Sequence, residues 1–363
     1  MDSSMDRRMD TGMENLYTEL LVDVPQWCVP EGETADLVIS SRARLARNLT
    51  TLPFVHRSIK NERFRVIEQV ENAVQQSENV ARSVYLSLLD TSELDRGVLV
   101  ERRLISPSLA EGTRPAGVFI GPGETFSLMV NEEDHLRLQT IKGGLQVRAA
   151  WQEADKIDTE LSKTLDFAFS DEFGYLTSCP SNTGTGMRLS VLMHLPGLTL
   201  ADQMASLGCA MEEIGFTVRG LHGEGTRRSG NMYQVSNQCT MGHSEEEIVD
   251  RLDRVTRRLA AFEERACDAL ASRAKRQTED RVARAYGLLK HARLLGEMEA
   301  LDALSMLRMG AFMGLCQGME TSAFNQLMIA IQPAHIRMTS GREMTAEELD
   351  ERRAELVREH LRF

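Results

Sequence analysis

The hydrophobic period of this 363-residue chain switches near Ser244 from predominantly two to about 3.6, and that switch limits the architecture more than any other feature. Before it, strand-like segments dominate. Residues 36 to 44 (DLVISSRAR) open with Leu37, Val38 and Ile39, then set Ser40, Arg42 and Arg44 on one face. Residues 116 to 141 read as strands: Phe126, Leu128 and Val130 alternate beyond a GPGE turn, and Glu133, His135 and Arg137 face away from Leu136 and Leu138. Further on, Tyr233 and Val235 alternate with Gln234, Ser236 and Gln238. Helical stripes interrupt at residues 60 to 75 (Phe64, Ile67, Val70, Val74) and 199 to 214 (Leu200, Met204, Leu207, Met211, Ile214), the second ended by Gly215. After the switch, Ser244 and Glu247 form a capping box ahead of Ile248, Leu252, Val255, Leu259 and Phe262. Residues 278 to 315 and 345 to 361 are also helical, the latter with Thr345 and Glu348 as a second box. The expected outline is an N-terminal tail over 1–35, an α+β domain over 36–270, and a smaller all-helical domain over 271–363.

Several function classes fall away. No apolar run reaches the ~18 residues of a membrane helix, and the polar, acidic first sixteen residues lack a secretory apolar segment, so the expected location is the cytoplasm. The six cysteines (28, 179, 209, 239, 267 and 316) are scattered without a CxxC pair, which argues against a disulfide framework or a structural zinc site. A formal charge of −12 repels nucleic acid and anionic membranes. The cations are nearly all arginine, with lysine at only six positions. Codon bias accounts for that by itself, but a planar fork of donors also suits phosphate better than a point charge does. There is no GxxxxGK[ST] loop, no GxGxxG after a strand and no protein-kinase HRD or DFG set, so any nucleotide must be held by other means.

Four clusters offer such means. In SSRARLARN (40 to 48), Arg42 and Arg44 share a strand face and repel unless an anion sits between them; a solvated edge strand is the plain alternative. In NEEDHLRLQ (131 to 139), Glu133 and Arg137 share a face as a possible ion pair, and His135 reads as a packed, hydrogen-bonded histidine. CPSNTGTGMR (179 to 188) makes a tight loop with backbone N–H groups free to face an anion, or else a structural turn, with Cys179 at its mouth and Arg188 following. In RGLHGEG (219 to 225), Arg219 and Glu224 flank a glycine-permitted loop.

In this order the clusters resemble the phosphagen (guanidino) kinase family, whose catalytic domain carries SSRxR, NEEDHxR, CPxNxGTGxR and RGxxGE. The resemblance runs from about residue 36 to the helix starting at Ser244 and includes FGYLTSCPSN and NMYQVSNQCTMG. It implies a glutamine-synthetase-like catalytic fold, a mainly antiparallel sheet flanked by helices, and ATP with Mg2+ as cofactors. Only thirty-nine residues precede Ser40 and the extra helices lie at the C-terminus, a layout similar to the bacterial members that phosphorylate arginines in proteins. By position, the resemblance assigns the ATP phosphates to Ser40, Ser41, Arg42, Ala43, Arg44, Arg137, Arg188 and Arg219. Glu133 and Glu224 would clamp the substrate guanidinium and take its proton, and Cys179 matches the family's active-site thiol; no protein metal site is implied. Arg103 stands where bacterial members usually have an ATP-contacting histidine, which implies altered nucleotide affinity. Leu349 replaces the leading arginine of an RDxxRA phosphoarginine-binding element, leaving Asp350 and Arg353 and placing allosteric control in doubt. Kinship implies partners too: protein substrates with exposed arginine marked for proteolysis in stress and quality control, a McsA-like activator, a Clp ATPase and a homodimer. The alternatives are a small-molecule guanidino kinase and a non-catalytic adaptor.

Overall fold

The computed structural model describes residues 23–220, 230–316 and 320–361. Ten strands and twelve α-helices follow in chain order among them. The catalytic part comprises β1 (Val38–Arg47), α1 (Lys60–Gln76), β2 (Val84–Ser87), α2 (Glu93–Glu101), α3 (Pro107–Ala110), β3 (Gly117–Ile120), β4 (Phe126–Val130) and β5 (Leu136–Gly143). It continues with α4 (Val147–Leu161), β6 (Phe169–Ser170), β7 (Gly174–Tyr175), β8 (Met187–His194), α5 (Pro196–Leu200), α6 (Met204–Glu213), β9 (Phe216–Gly220) and β10 (Met232–Asn237). Helices α7 (Glu245–Arg273), α8 (Lys275–His291), α9 (Glu297–Phe312), α10 (Thr321–Ala330), α11 (Pro333–Ser340) and α12 (Ala346–His360) complete it.

Eight strands form one sheet in the order β2-β3-β4-β5-β1-β8-β10-β9, and every pairing is antiparallel. The alternation seen in the sequence decides which face is covered. Ala43, Leu45, Leu138, Leu189, Val191 and Val235 point to one side, where they join Val70, Ala150, Ala154, Ile157, Leu252 and Leu259 of α1, α4 and α7 in the main core. On that covered side Arg47 donates to Asp158 of α4 from Nη2 at 2.8 Å and lies 3.5 Å over the Tyr175 ring, so its charge is paired where it is buried.

The helical unit is bolted across the strand ends. From α9, Asp302 accepts the Gly230 N–H at 2.8 Å, and the Ser305 hydroxyl accepts from Asn231 Nδ2 at 2.7 Å and meets His194 Nε2 at 2.8 Å. Arg308 donates to the Asp36 carbonyl at 3.0 Å and to Asn325 Oδ1 at 2.7 Å. Asn325 in turn donates to the Cys28 carbonyl at 2.9 Å. Residues 26–28, read from sequence as part of a tail, form a short 3-10 turn whose Trp27 and Cys28 are buried.

Both capping boxes, at Ser244/Glu247 and Thr345/Glu348, are formed. Other expectations shift. The stripe of α1 is rotated: Arg63 and Val66 are buried with Ile67, Val70 and Val74, while Phe64 is exposed. The helix expected over 199–214 is two, broken at Asp202, whose φ of 55° no α-helix accommodates. The stretch 278–315 also divides, into α8 and α9.

Candidate active site

The second face of the sheet is covered at β2–β4 by an apolar cluster with Val118, Ile120 and Met129, and at the other end by Ile141, Leu192 and Met232 under Trp27 and Ile329; between the two clusters the residues at period two from the core are polar. Cross-strand register brings them together: Arg44 lies opposite Gln139 and Arg188, and Arg42 opposite Ser190. Ser190 in turn lies opposite Ser236, and Gln234 opposite Arg219. Arg137 sits beside Ala46, two residues from Gln139, on the same face. Thus Arg137, Arg42, Arg44, Arg188 and Arg219 come from four adjoining or near-adjoining strands onto one surface, joined by β10.

Polar neighbours hold some of these guanidiniums in place. Arg42 donates from Nη2 to Gln234 Oε1 at 2.9 Å and from Nε to the Ser190 hydroxyl at 3.4 Å. Arg188 donates from Nη2 to the Ser236 hydroxyl at 3.3 Å. Arg103 stacks 4.8 Å over Trp27, and its carbonyl accepts from Gln139 Nε2 at 2.5 Å; its φ of 65° is the unusual backbone that turns it toward this face.

The charges are under-compensated. Burial, and then the charges of Arg103, Arg137 and Arg188, push Arg42 down to about 9. Arg44 is pushed well down by burial and by Arg42, Arg137 and Arg188, with Glu132 alone opposing. Burial, Arg219 and Arg137 lower Arg188, and burial lowers Arg103 to about 10. Burial by itself would raise Glu132, yet Arg137 and the Ser106 hydroxyl hold its carboxylate below the usual range. All these guanidiniums stay charged at neutral pH. In addition, Nε of Arg44 and of Arg188 are buried donors without a partner among the described residues. A polyanion with several acceptor oxygens satisfies both deficits, so the donor set fits a nucleotide triphosphate.

The 131–139 segment departs from its expected layout. Residues 131–135 are a tight turn closed by Asn131 N–H to the His135 carbonyl at 2.9 Å, with Asn131 at a φ of 61°. Glu133 is exposed at its tip and does not pair with Arg137. Glu132, unnoticed in the sequence, is the partner, taking Arg137 Nη1 on both oxygens at 2.8 and 2.6 Å. His135 is packed as expected: Nδ1 accepts the Leu49 N–H at 3.0 Å, so Nε2 carries the proton and donates to the Pro53 carbonyl at 2.9 Å. Asp134, also missed, accepts from Asn48 Nδ2 and from the Ser178 N–H, each at 2.6 Å. It ties the Glu133 turn to the loop that carries Cys179.

That loop is a structural turn. The amides of Asn182, Thr183, Gly184 and Thr185 are spent on the carbonyls of Cys179, Pro180, Tyr175 and Thr240, which is the second of the two readings the sequence left open. Cys179 is partly exposed, its Sγ 3.0 Å from the Ser181 hydroxyl. Ser40 and Ser41 are buried; Ser41 Oγ donates to the Gly144 carbonyl at 2.8 Å and accepts the Gln146 N–H at 2.9 Å, and Ala43 faces the core. Arg219 is exposed at the last turn-ward end of β9, and Glu224 lies outside the described residues.

In the helical unit, Leu349 is buried, and Arg353 uses Nε and Nη1 within the unit: it donates to the carbonyls of Ile331 at 2.9 Å and Leu295 at 2.8 Å and to Asp350 at 2.5 Å.

Over this sheet and its helices the chain is similar to the ATP:guanido phosphotransferases. The profile for that C-terminal catalytic domain matches residues 65–266, and the profile for the protein-arginine kinase McsB C-terminal domain matches residues 275–363. A protein-arginine kinase of Moorella thermoacetica is 46% identical over 339 residues, 93% of this chain and 97% of that one. Among solved structures, the substrate-free duplicated taurocyamine kinase of Schistosoma mansoni aligns with a TM-score of 0.57 and 28% identity over 67% of this chain and 36% of that one. Lombricine kinase shares the fold, with a TM-score of 0.57 at 23% identity over 67% of this chain and 72% of that one. The chain belongs to the protein-arginine kinase family.

Proposed function

We propose that this chain transfers the γ-phosphoryl group of ATP to an arginine side chain of another protein. The observation that carries the reading is the guanidinium face with its unpartnered Nε donors on Arg44 and Arg188. Phosphoryl transfer needs positioning and charge neutralisation more than covalent help, and Arg42, Arg44, Arg137, Arg188 and Arg219, with Arg103 behind Arg42, supply both. Bound Mg2+ would add neutralisation of the phosphates. Such an ion is ordinarily held by substrate phosphate oxygens and water with one or two carboxylates.

The acceptor sets the harder requirement. Deprotonating an arginine of pKa ~13 at pH 7 costs roughly 8 kcal/mol, beyond any carboxylate acting in advance. Two carboxylates can bind the cation, align one nitrogen with the γ-phosphorus, and accept its proton as the P–N bond forms and the bond to the ADP oxygen breaks. We assign these roles to Glu133 and Glu224, with Cys179 beside the guanidinium and Asp134 fixing the Glu133 turn against the Cys179 loop. The reading extends to a cytoplasmic enzyme in protein quality control, acting with a McsA-like activator and a Clp ATPase and pairing as a homodimer through the helical unit, with domains near 36–270 and 271–363. Support for those partners is kinship alone.

The test is phosphorylation of a mixed protein substrate and of free arginine. Acid-labile phosphate on protein, with Glu133→Gln and Glu224→Gln each slowed by at least ~10², is the expected result. Near-normal turnover by both variants would remove the assigned roles, and phosphorylation of free arginine alone would favour a small-molecule guanidino kinase.

A further inference from the structure

The β6–β7 hairpin carries its apolar side chains outward. Phe169 is 56% exposed and Phe173 46%, and Asp171 and Glu172 between them are exposed as well. The hairpin is not a loose loop. Phe169 packs edge-on against Tyr175 at 5.2 Å, Phe167 meets the same ring at 6.4 Å, and Tyr175 rests on the buried Arg47–Asp158 pair. Its return strand exchanges backbone hydrogen bonds with Gly184 at 2.8 and 3.3 Å. Four residues further on comes Cys179, and the Ser178 N–H reaches Asp134 beside Glu133. Phe169 therefore stands on a fixed base joined to the turn and loop assigned to the acceptor, with Phe173 beside it at the hairpin tip.

Tyr175 lies at most about 14 Å along the chain from Cys179, and Phe173 at most about 20 Å. An extended polypeptide covers those spans in about four to six residues. We infer that this hairpin docks the substrate segment flanking the target arginine, taking an apolar side chain within about six positions of it on Phe169 and Phe173. Asp171 and Glu172 set the charge of that segment: cationic flanks are attracted and acidic ones repelled. The inference rests on the proposed protein-arginine kinase activity and adds a local sequence preference to it.

The test uses three peptides of equal length with one central arginine: flanked by glycines only, carrying leucine or phenylalanine five positions away, and carrying aspartate there. The expected kcat/KM of the parent is at least about fivefold higher for the apolar peptide than for the glycine peptide, with the aspartate peptide lowest. In the Phe169→Ser/Phe173→Ser variant the first two converge through a raised KM, while the glycine peptide's rate and the KM for ATP stay at parent values. Should the double variant not fold, Phe173→Ser at the hairpin tip makes the same comparison. A parent that uses apolar and glycine peptides alike, or a variant that keeps the difference, overturns the inference and leaves the arginine kinase standing. A parent that phosphorylates neither these peptides nor protein overturns both.

Discussion

Replacing Arg44 with methionine should make the free protein more stable and the enzyme worse. Its Cα faces that of Arg188 across an antiparallel pair, a separation of ~4.5–5.5 Å, and Arg42 stands two residues along the strand, roughly 6–7 Å away. Charged heads at roughly 7 Å interact by ~2 kcal/mol each at an effective dielectric constant of 20. Arg42, Arg137 and Arg188 oppose Arg44 and Glu132 favours it, which leaves a net cost of about 4 kcal/mol before desolvation is counted. Relaxation and solvent screening reduce what is measured, so we expect Arg44→Met to gain about 1–3 kcal/mol without nucleotide, or roughly 1–4 °C in Tm. No described hydrogen-bond partner is orphaned by the change, because Arg44 Nε has none. Methionine also matches the length of the stem. Nucleotide binding should weaken roughly 30–100-fold, the loss of a charge-assisted contact to phosphate. Thermal shift with and without ATP reads both effects in one experiment: the two melting curves should exchange order as nucleotide saturates the parent. A variant that melts lower without nucleotide, or binds ATP as the parent does, refutes the reasoning.

Stability should fall as pH drops below ~6.5. Burial holds His135 below the ordinary histidine range, and it holds His194 further below. The unfolded chain therefore takes up protons that the folded one refuses: stability is complete above 6.5 and is lost toward the depressed folded values, by up to 1.36 kcal/mol per pH unit for each ring. Tm measured from pH 7.5 to 5 should trace that slope, and a flat profile would contradict it. Arg353→Ala should cost about 3–5 kcal/mol, because it strands the buried carbonyls of Ile331 and Leu295; chemical denaturation checks this. Free phosphoarginine should leave turnover unchanged, since Arg353 is already engaged and Leu349 offers no donor; stimulation in a steady-state assay would contradict that.

What the sequence disclosed follows from the range of the forces involved. Arg42 and Arg44 could be set on one face because strand alternation is local, and the capping boxes could be read because each closes over three residues. Cross-strand register is not local, so the pairing of Arg188 with Arg44 and of Gln234 with Arg219 became visible only in three dimensions. The misreading of Glu133 has the same origin. The strand period breaks over residues 131–135, where Asn131 takes a left-handed turn, so the acidic residue that meets Arg137 is Glu132. The adjacent pair of acids was the available signal. Of the two readings open for CPSNTGTGMR, anion donor or structural turn, the choice depends on acceptors such as Tyr175 and Thr240 that strand pairing and loop packing bring in.

The bolts from α9 have a consequence for how such proteins diversify. Asp302, Ser305 and Arg308 terminate in backbone or side-chain groups of Gly230, Asn231, His194 and Asp36. A helical unit without these three side chains would leave His194, Asn231 and the carbonyl of Asp36 without the partners they have here. Parts joined in this way can be exchanged only with their contacts.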